Sequence, residues 1–122
     1  MQIESVSNHM TKSEREVAEL FQELDIPWTY EQPIFVWDEN KRPRVWAPDF
    51  YLKPFDIYVE VCGSETFDYE YRRSIYNING YKVVFLHLYK ETNRWKEYLM
   101  NYLQRVTENR NVKLREIMNK II

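Results

Sequence analysis

Two apolar runs separated by four residues constrain this chain most. Trp46-Ala47-Pro48-Asp49-Phe50-Tyr51-Leu52 and Ile57-Tyr58-Val59-Glu60-Val61-Cys62 are rich in aromatic and β-branched side chains, the types that suit a pleated, half-buried surface. Lys53-Pro54-Phe55-Asp56 lies between them and reads as the break of a short antiparallel hairpin. Strands are therefore expected over residues 44–52 and 57–62. Each run carries one acid near an end, Asp49 and Glu60. Because the first run continues through Phe50-Tyr51-Leu52, Asp49 is expected inside its strand, where local propensity disfavours an aspartate. An ionised carboxylate in an apolar run is costly to bury unless it is paired or binds a cation. On adjacent strands the two acids can meet at one point, which is how a protein assembles an oxygen-ligand site for Mg²⁺. For Glu60 the structural alternative is a buried pair with an arginine.

The rest of the chain supplies the elements around that hairpin. Residues 1–10 read as an irregular lead-in. Ser13-Glu14-Arg15-Glu16 reads as a capping box with Ser13 as N-cap and Glu16 reaching back. It opens a helix with Val17, Leu20, Phe21 and Leu24 on one face, ended before Pro27. Residues 28–31 and 34–37 form a first strand interrupted at Pro33, and Asp38-Glu39-Asn40-Lys41 turns into the second. After Gly63-Ser64-Glu65 comes a helix with Phe67, Tyr71, Ile75 and Ile78 aligned, stopping at Asn79-Gly80. Residues 81–88 are nearly unbroken apolar, as expected of a strand buried on both faces and parallel to a neighbour. Residues 92–122 are mostly helical, with Trp95, Leu99, Tyr102, Leu103 and Val106 on one face and a break expected near Asn109-Arg110-Asn111. The order α-β-β-β-α-β-α predicts an α/β fold, a mixed sheet flanked by helices. The 122 residues suit a single domain, with a core over 11–90 and a C-terminal helical extension over 91–122.

Composition narrows the setting. No stretch approaches the ~18 apolar residues of a membrane span, and Met1-Gln2-Ile3-Glu4 does not begin a signal peptide. One cysteine excludes an internal disulfide framework and suits a reducing cytoplasm. A net charge of −2 gives no argument for a nucleic-acid partner. Its distribution is uneven, however. Residues 1–88 hold nine Lys/Arg against fifteen Asp/Glu, and residues 89–122 hold eight against four. A basic segment beside an acidic metal-binding half would suit a phosphodiester substrate, although a solvated helix accounts for the charge equally well. Trp28, Trp37, Trp46, Tyr51 and Tyr58 occur mostly at strand spacing, as core and cross-strand pairs, rather than as a base-stacking platform.

In order and placement these motifs resemble the PD-(D/E)XK nuclease superfamily over about residues 11–90. The likeness is to small endonuclease-like members with a helix glutamate, a Tyr-Glu before the strands, Pro-Asp-Phe, and Glu-x-x-Gly. Here these stand as Glu14, Tyr30-Glu31, Pro48-Asp49-Phe50 and Glu60-Val61-Cys62-Gly63. The resemblance implies a restriction-endonuclease-like domain that binds Mg²⁺ or Mn²⁺ through Asp49, Glu60 and the carbonyl of Val61, with Glu14 in support. It also implies DNA as substrate, hydrolysed by metal-activated water. A homodimer is expected, since two active sites are needed to cut two strands.

Glu14 and Glu16 both flank the apolar stripe of the first helix, on opposite sides. Glu16 is engaged by the expected capping box, and the family pattern points to Glu14. An ordinary acid answering the helix macrodipole is the plainer reading of either residue. The chain departs from the family at Cys62, where most members carry a lysine. A thiol has no positive charge to offer. Cys62 shares the strand face of Glu60, because side chains repeat with period two, and it reads as a small buried hydrophobe. Some members place the cation on the following helix, which here carries Arg72 and Arg73. On the expected helix face Arg72 lies at the edge of the buried stripe and Arg73 points roughly opposite. Arg72 is thus the candidate to clamp a phosphate or developing oxyanion. The alternative function is a catalytically degenerate nuclease-fold module for DNA binding or assembly.

Overall fold

The first helix begins earlier than Ser13. In the computed structural model, which describes residues 9–64, 67–90 and 94–121, α1 spans Lys12–Glu23 with Thr11 as its N-cap. Thr11 Oγ1 accepts from the Glu14 N–H at 3.1 Å, and Glu14 Oε1 accepts from the Thr11 N–H at 2.8 Å. Thr11-Lys12-Ser13-Glu14 and Ser13-Glu14-Arg15-Glu16 are overlapping capping boxes. The upstream one forms, satisfying two orphan amide donors and extending the helix toward its N-terminus. Val17, Ala18, Leu20 and Phe21 bury the inner face.

The strands follow as β1 (Thr29–Tyr30), β2 (Ile34–Trp37), β3 (Pro43–Trp46), β4 (Phe50–Leu52) and β5 (Ile57–Cys62). Then come α2 (Tyr69–Ile78), β6 (Val83–His87) and α3 (Arg94–Ile121). The main sheet has the order β1-β4-β5-β6, with β5 and β6 parallel and the other pairs antiparallel. β2 and β3 form a separate antiparallel ribbon. The mixed sheet, the span of β5 and the parallel pairing of β6 are as the sequence predicts.

Two expected strands are divided. Residues 28–37 contribute to two sheets, because the chain turns at Glu31, which has φ 53° and donates its N–H to the carbonyl of Asp49. The run 44–52 breaks at Ala47-Pro48-Asp49, β3 pairing with β2 and β4 with β5. Pro48 has no N–H for a ladder, and Asp49 sits in the bend before β4 rather than inside a strand. A one-turn 3₁₀ helix (Lys53–Phe55) and Asp56 in the left-handed region, φ 52°, close the β4–β5 hairpin.

α1 and α3 cover one face of the sheet over Phe50, Leu52, Ile57, Val59, Val84 and Leu86. α2 and the β2–β3 ribbon cover the other over Tyr58, Cys62 and Phe85. The inward side of α2 is Ile75 and Tyr76, with Arg72 half-buried. Phe67 and Ile78, expected inside, are 52% and 72% exposed. Polar ties rotate the helix to this orientation. Asp68 caps it through the Tyr71 N–H, Tyr71 Oη donates to Glu39 at 2.6 Å, and the Asn79 amide brackets Trp37 backbone at 2.8 and 2.9 Å. Gly80, at φ 80°, ends the turn as Asn79-Gly80 predicts.

The ribbon turn is closed by Asp38. One carboxylate oxygen accepts the Asn40 and Arg42 N–H groups, both at 2.9 Å, and the other accepts Arg44 Nε at 3.2 Å. α3 packs through Trp95, Leu99, Leu103 and Val106 with Tyr102 alongside, as its stripe predicts. That face is thus taken up by the fold's own core. No break occurs at 109–111. Arg110 instead donates to the Pro54 and Phe55 carbonyls at 2.7 and 2.6 Å. Beyond it all residues through Ile121 are exposed. Among the described residues no helix is long and apolar enough to cross a membrane. The lead-in over 1–8, Glu65 and Thr92 lie outside them.

Candidate acid cluster

Antiparallel pairing sets Phe50 opposite Val59, so the next pair outward is Asp49 and Glu60. Their contact is direct. The Asp49 N–H donates to Glu60 Oε1 at 3.2 Å, and Asp49 Oδ2 accepts the Val61 N–H at 2.6 Å. The bend before β4 and the end of β5 are thereby laced by their own acids. Val61 meets the cluster through its amide N–H.

Glu60 faces α2, because β5 alternates Ile57 and Val59 toward one core and Tyr58 and Cys62 toward the other. It is buried, and its Oε2 accepts Arg72 Nε at 2.7 Å. Arg72 Nη2 donates to Tyr76 Oη at 2.7 Å, and the guanidinium lies 4.4 Å from the centroid of the Trp46 ring. The arginine pairing weighed as the alternative for Glu60 is therefore present. Arg72 faces the acids, as expected. Its neighbour does not point away from the fold: the Arg73 guanidinium lies 4.8 Å over the Phe85 ring. The rotation of α2 that buries Ile75 and Tyr76 turns consecutive arginines to either side of that face.

Glu14 reaches the cluster from α1. It is buried, and Tyr30 Oη lies 3.2 and 3.3 Å from its two carboxylate oxygens. The single hydroxyl proton is shared with the His9 carbonyl at 3.2 Å. The capping-box acid is thus Glu14, while Glu16 is exposed. The expectation that capping leaves Glu14 freer is reversed, yet Glu14 is the acid turned inward.

The electrostatics separate the acids. Burial, then the neighbouring Glu60 charge, pushes the Asp49 carboxyl up to about 8, with Glu14 adding to the rise and the Val61 N–H opposing it. Burial also raises Glu60, against the pull of the Arg72 guanidinium. The cluster thus has more negative charge than its one arginine answers. Cys62 is fully buried, its thiol pushed up to about 12 by burial and by Glu60. It stays protonated and neutral.

Among the described residues no three His, Cys, Asp or Glu side chains stand close enough to cage a metal ion. The donors that are present are carboxylate oxygens, the chemistry of a hard divalent cation. Mg²⁺ is commonly held by one or two carboxylates and retains several waters, so Asp49 and Glu60 fit it. Sequence reasoning missed Tyr76 and Trp46, which hold Arg72 in place. The spacing of Arg72 and Tyr76, four apart on a helix, was a readable signal. The Trp46 contact crosses between elements and left none. No protein-family model, curated protein or solved structure matches the chain.

Proposed function

We propose that this protein is a divalent-metal-dependent DNA endonuclease with a restriction-endonuclease-like domain. The observation that carries the reading is the Asp49–Glu60 pair at a strand end, where the Asp49 N–H donates to the Glu60 carboxylate and the Asp49 carboxyl is held up to about 8. Such a carboxyl is under-compensated, and a dication supplies the missing charge. Asp49 and Glu60 would hold Mg²⁺ or Mn²⁺, which when bound would activate water toward a phosphodiester. Glu14 adds negative charge from the α1 side. Arg72, fixed by Glu60, Tyr76 and Trp46, is preorganised to stabilise charge on a phosphate oxygen. Such preorganisation costs no reordering during the reaction.

A second reading has its own support. Glu60 is already ion-paired and Cys62 is neutral, which suits a nuclease-fold module that binds DNA or an assembly without cutting. Incubating the protein with supercoiled, linear, single-stranded and branched DNA, in Mg²⁺, Mn²⁺ or EDTA, separates the two. Metal-dependent nicking that disappears in Asp49→Ala supports the enzyme. Retardation without nicking selects the module. The expected homodimer belongs to the same proposal. Leu114, Ile117, Met118 and Ile121, all exposed and at positions i, i+3, i+4 and i+7 of α3, offer it an apolar stripe. Light scattering at the monomer mass would remove it.

A further inference from the structure

A cavity of about 730 Å³ opens between α2, β6 and the start of α3. It lies on the Arg73 side of α2, whereas Arg72 is turned to the acid cluster. Among the described residues its lining is cationic: Arg73, Lys90 and Arg94 contribute to it with His87, and Glu97 is the one acid. Phe85, Trp95 and Tyr98 add aromatic surface to the lining.

Cations on a surface are normally solvated, so the charge alone decides little. The state of Arg73 adds more. Its Nε is buried and, among the described residues, makes no hydrogen bond. Among the described residues the nearest carboxylate oxygen, of exposed Glu70, is 3.8 Å away, too far to accept from it. A buried N–H without a partner costs free energy, and this one belongs to a planar group suited to phosphate. The guanidinium also lies 4.8 Å over the Phe85 ring, a cation–π contact at the cavity wall. His87 reports the crowding: burial first, then Lys90 and Arg73, lowers its pKa. The first turn of the 28-residue α3 adds Arg94 and Trp95 to the lining, bringing the positive end of the helix dipole to the same place.

We infer that this cavity is a phosphate-binding site. A free phosphate or nucleotide and a DNA backbone phosphate share the required chemistry. The inference does not rest on the nuclease reading, because none of its residues belongs to the acid cluster.

The test uses three probes in EDTA: inorganic phosphate and adenosine 5′-monophosphate by calorimetry, and a fluorescein-labelled 20-base-pair duplex by anisotropy. The wild type is expected to bind at least one. Arg73→Gln with Lys90→Gln should weaken that binding about tenfold or more, whereas Glu23→Gln, exposed at the end of α1, should bind as the wild type does. If the small anions bind and displace the duplex, the source is a free phosphate or nucleotide. If only the duplex binds, the source is the polymer, and the double variant should lower its salt slope by about 2. Circular dichroism checks the fold. Should Arg73→Gln fail to fold, Lys90→Gln alone carries the test, since Lys90 is exposed. No binding of any probe to the wild type, or unchanged affinity in Lys90→Gln and the double variant, overturns the inference.

Discussion

Asp38 and Asp49 both lie next to strand ends, and the chain treats them oppositely. Asp38 is surrounded by donors from its own turn: two amide N–H groups and the Arg44 guanidinium. The Arg42 amide leads in lowering its pKa, against the effect of burial. Asp49 receives one N–H from Val61 and faces two further acids, and its carboxyl rises to about 8. The first acid is fully explained by closing a hairpin. The second ties Val61 to the bend before β4 but is left under-compensated, its charged form disfavoured by burial and by Glu60. An acid whose local donors outnumber its acidic neighbours is architecture, whereas the reverse marks a candidate site.

The largest expected effect falls on the ion pair beside Asp49. Arg72→Ala leaves Glu60 buried without its cation and should cost about 3 kcal/mol in urea unfolding at pH 7. Arg44→Ala, at the solvent-exposed partner of Asp38, should leave the midpoint almost unchanged. Equal losses would erase the distinction between the two acids. Where Arg72→Ala remains folded, its nicking rate should fall about a hundredfold, the value of one preorganised charge at a phosphoryl centre.

The pH dependence has opposite signs at the two acids. Asp49 keeps its proton in the folded state up to about pH 8, while the unfolded chain releases it near the ordinary carboxylate value. The folded state therefore binds more protons across that window. The stability this proton contributes is lost as pH rises through it, at most about 1.4 kcal/mol per unit. Urea midpoints at pH 4, 6 and 8 should show wild type falling relative to Asp49→Asn, and Mg²⁺ should flatten the wild-type curve. Asp38 behaves inversely, because its lowered pKa favours folding above the ordinary value and the gain is lost on acidification. Asp38→Ala should accordingly lie below the wild type at neutral pH, the two curves converging on acidification. A wild-type curve parallel to that of Asp49→Asn would show that Asp49 is charged at neutral pH and is no different from Asp38.

The smallest effect concerns Cys62. A serine hydroxyl in that apolar position should cost about 1–2 kcal/mol and leave any cleavage rate unchanged. The wild-type thiol should react with a disulfide reagent only as fast as the fold opens. Cleavage lost in Cys62→Ser but retained in Arg72→Ala would move the chemistry to the thiol.

The sequence made β5 and the parallel β6 legible because unbroken β-branched runs have few other uses. The convergence of Asp49 and Glu60 was legible for the same reason, since hairpin pairing fixes which residues face each other. What local pattern could not decide was settled by distant partners. Two capping boxes overlapped, and Tyr30, sixteen residues on, contacts the acid of the upstream one. α2 presents Arg72 inward, where an apolar periodicity search looks for Tyr71, because Glu60 on another element holds it. The polar Asn109-Arg110-Asn111 resembled a break and instead ties α3 to the hairpin. Proline divided 44–52, a local signal that the flanking aromatics outweighed in the reading.

The tie at Arg110 has a thermodynamic consequence for everything after it. The eleven residues from Asn111 to Ile121 extend about 16 Å at helical rise and gain no support from the sheet. Their helix needs no nucleus of its own, because the packed turns before Arg110 supply one. It persists only by propagation from those packed turns, one residue at a time. Amide exchange along α3 should therefore rise as a gradient from Asn111 to Ile121, with protection reaching the level of global unfolding only where Leu99 and Leu103 are sealed into the core.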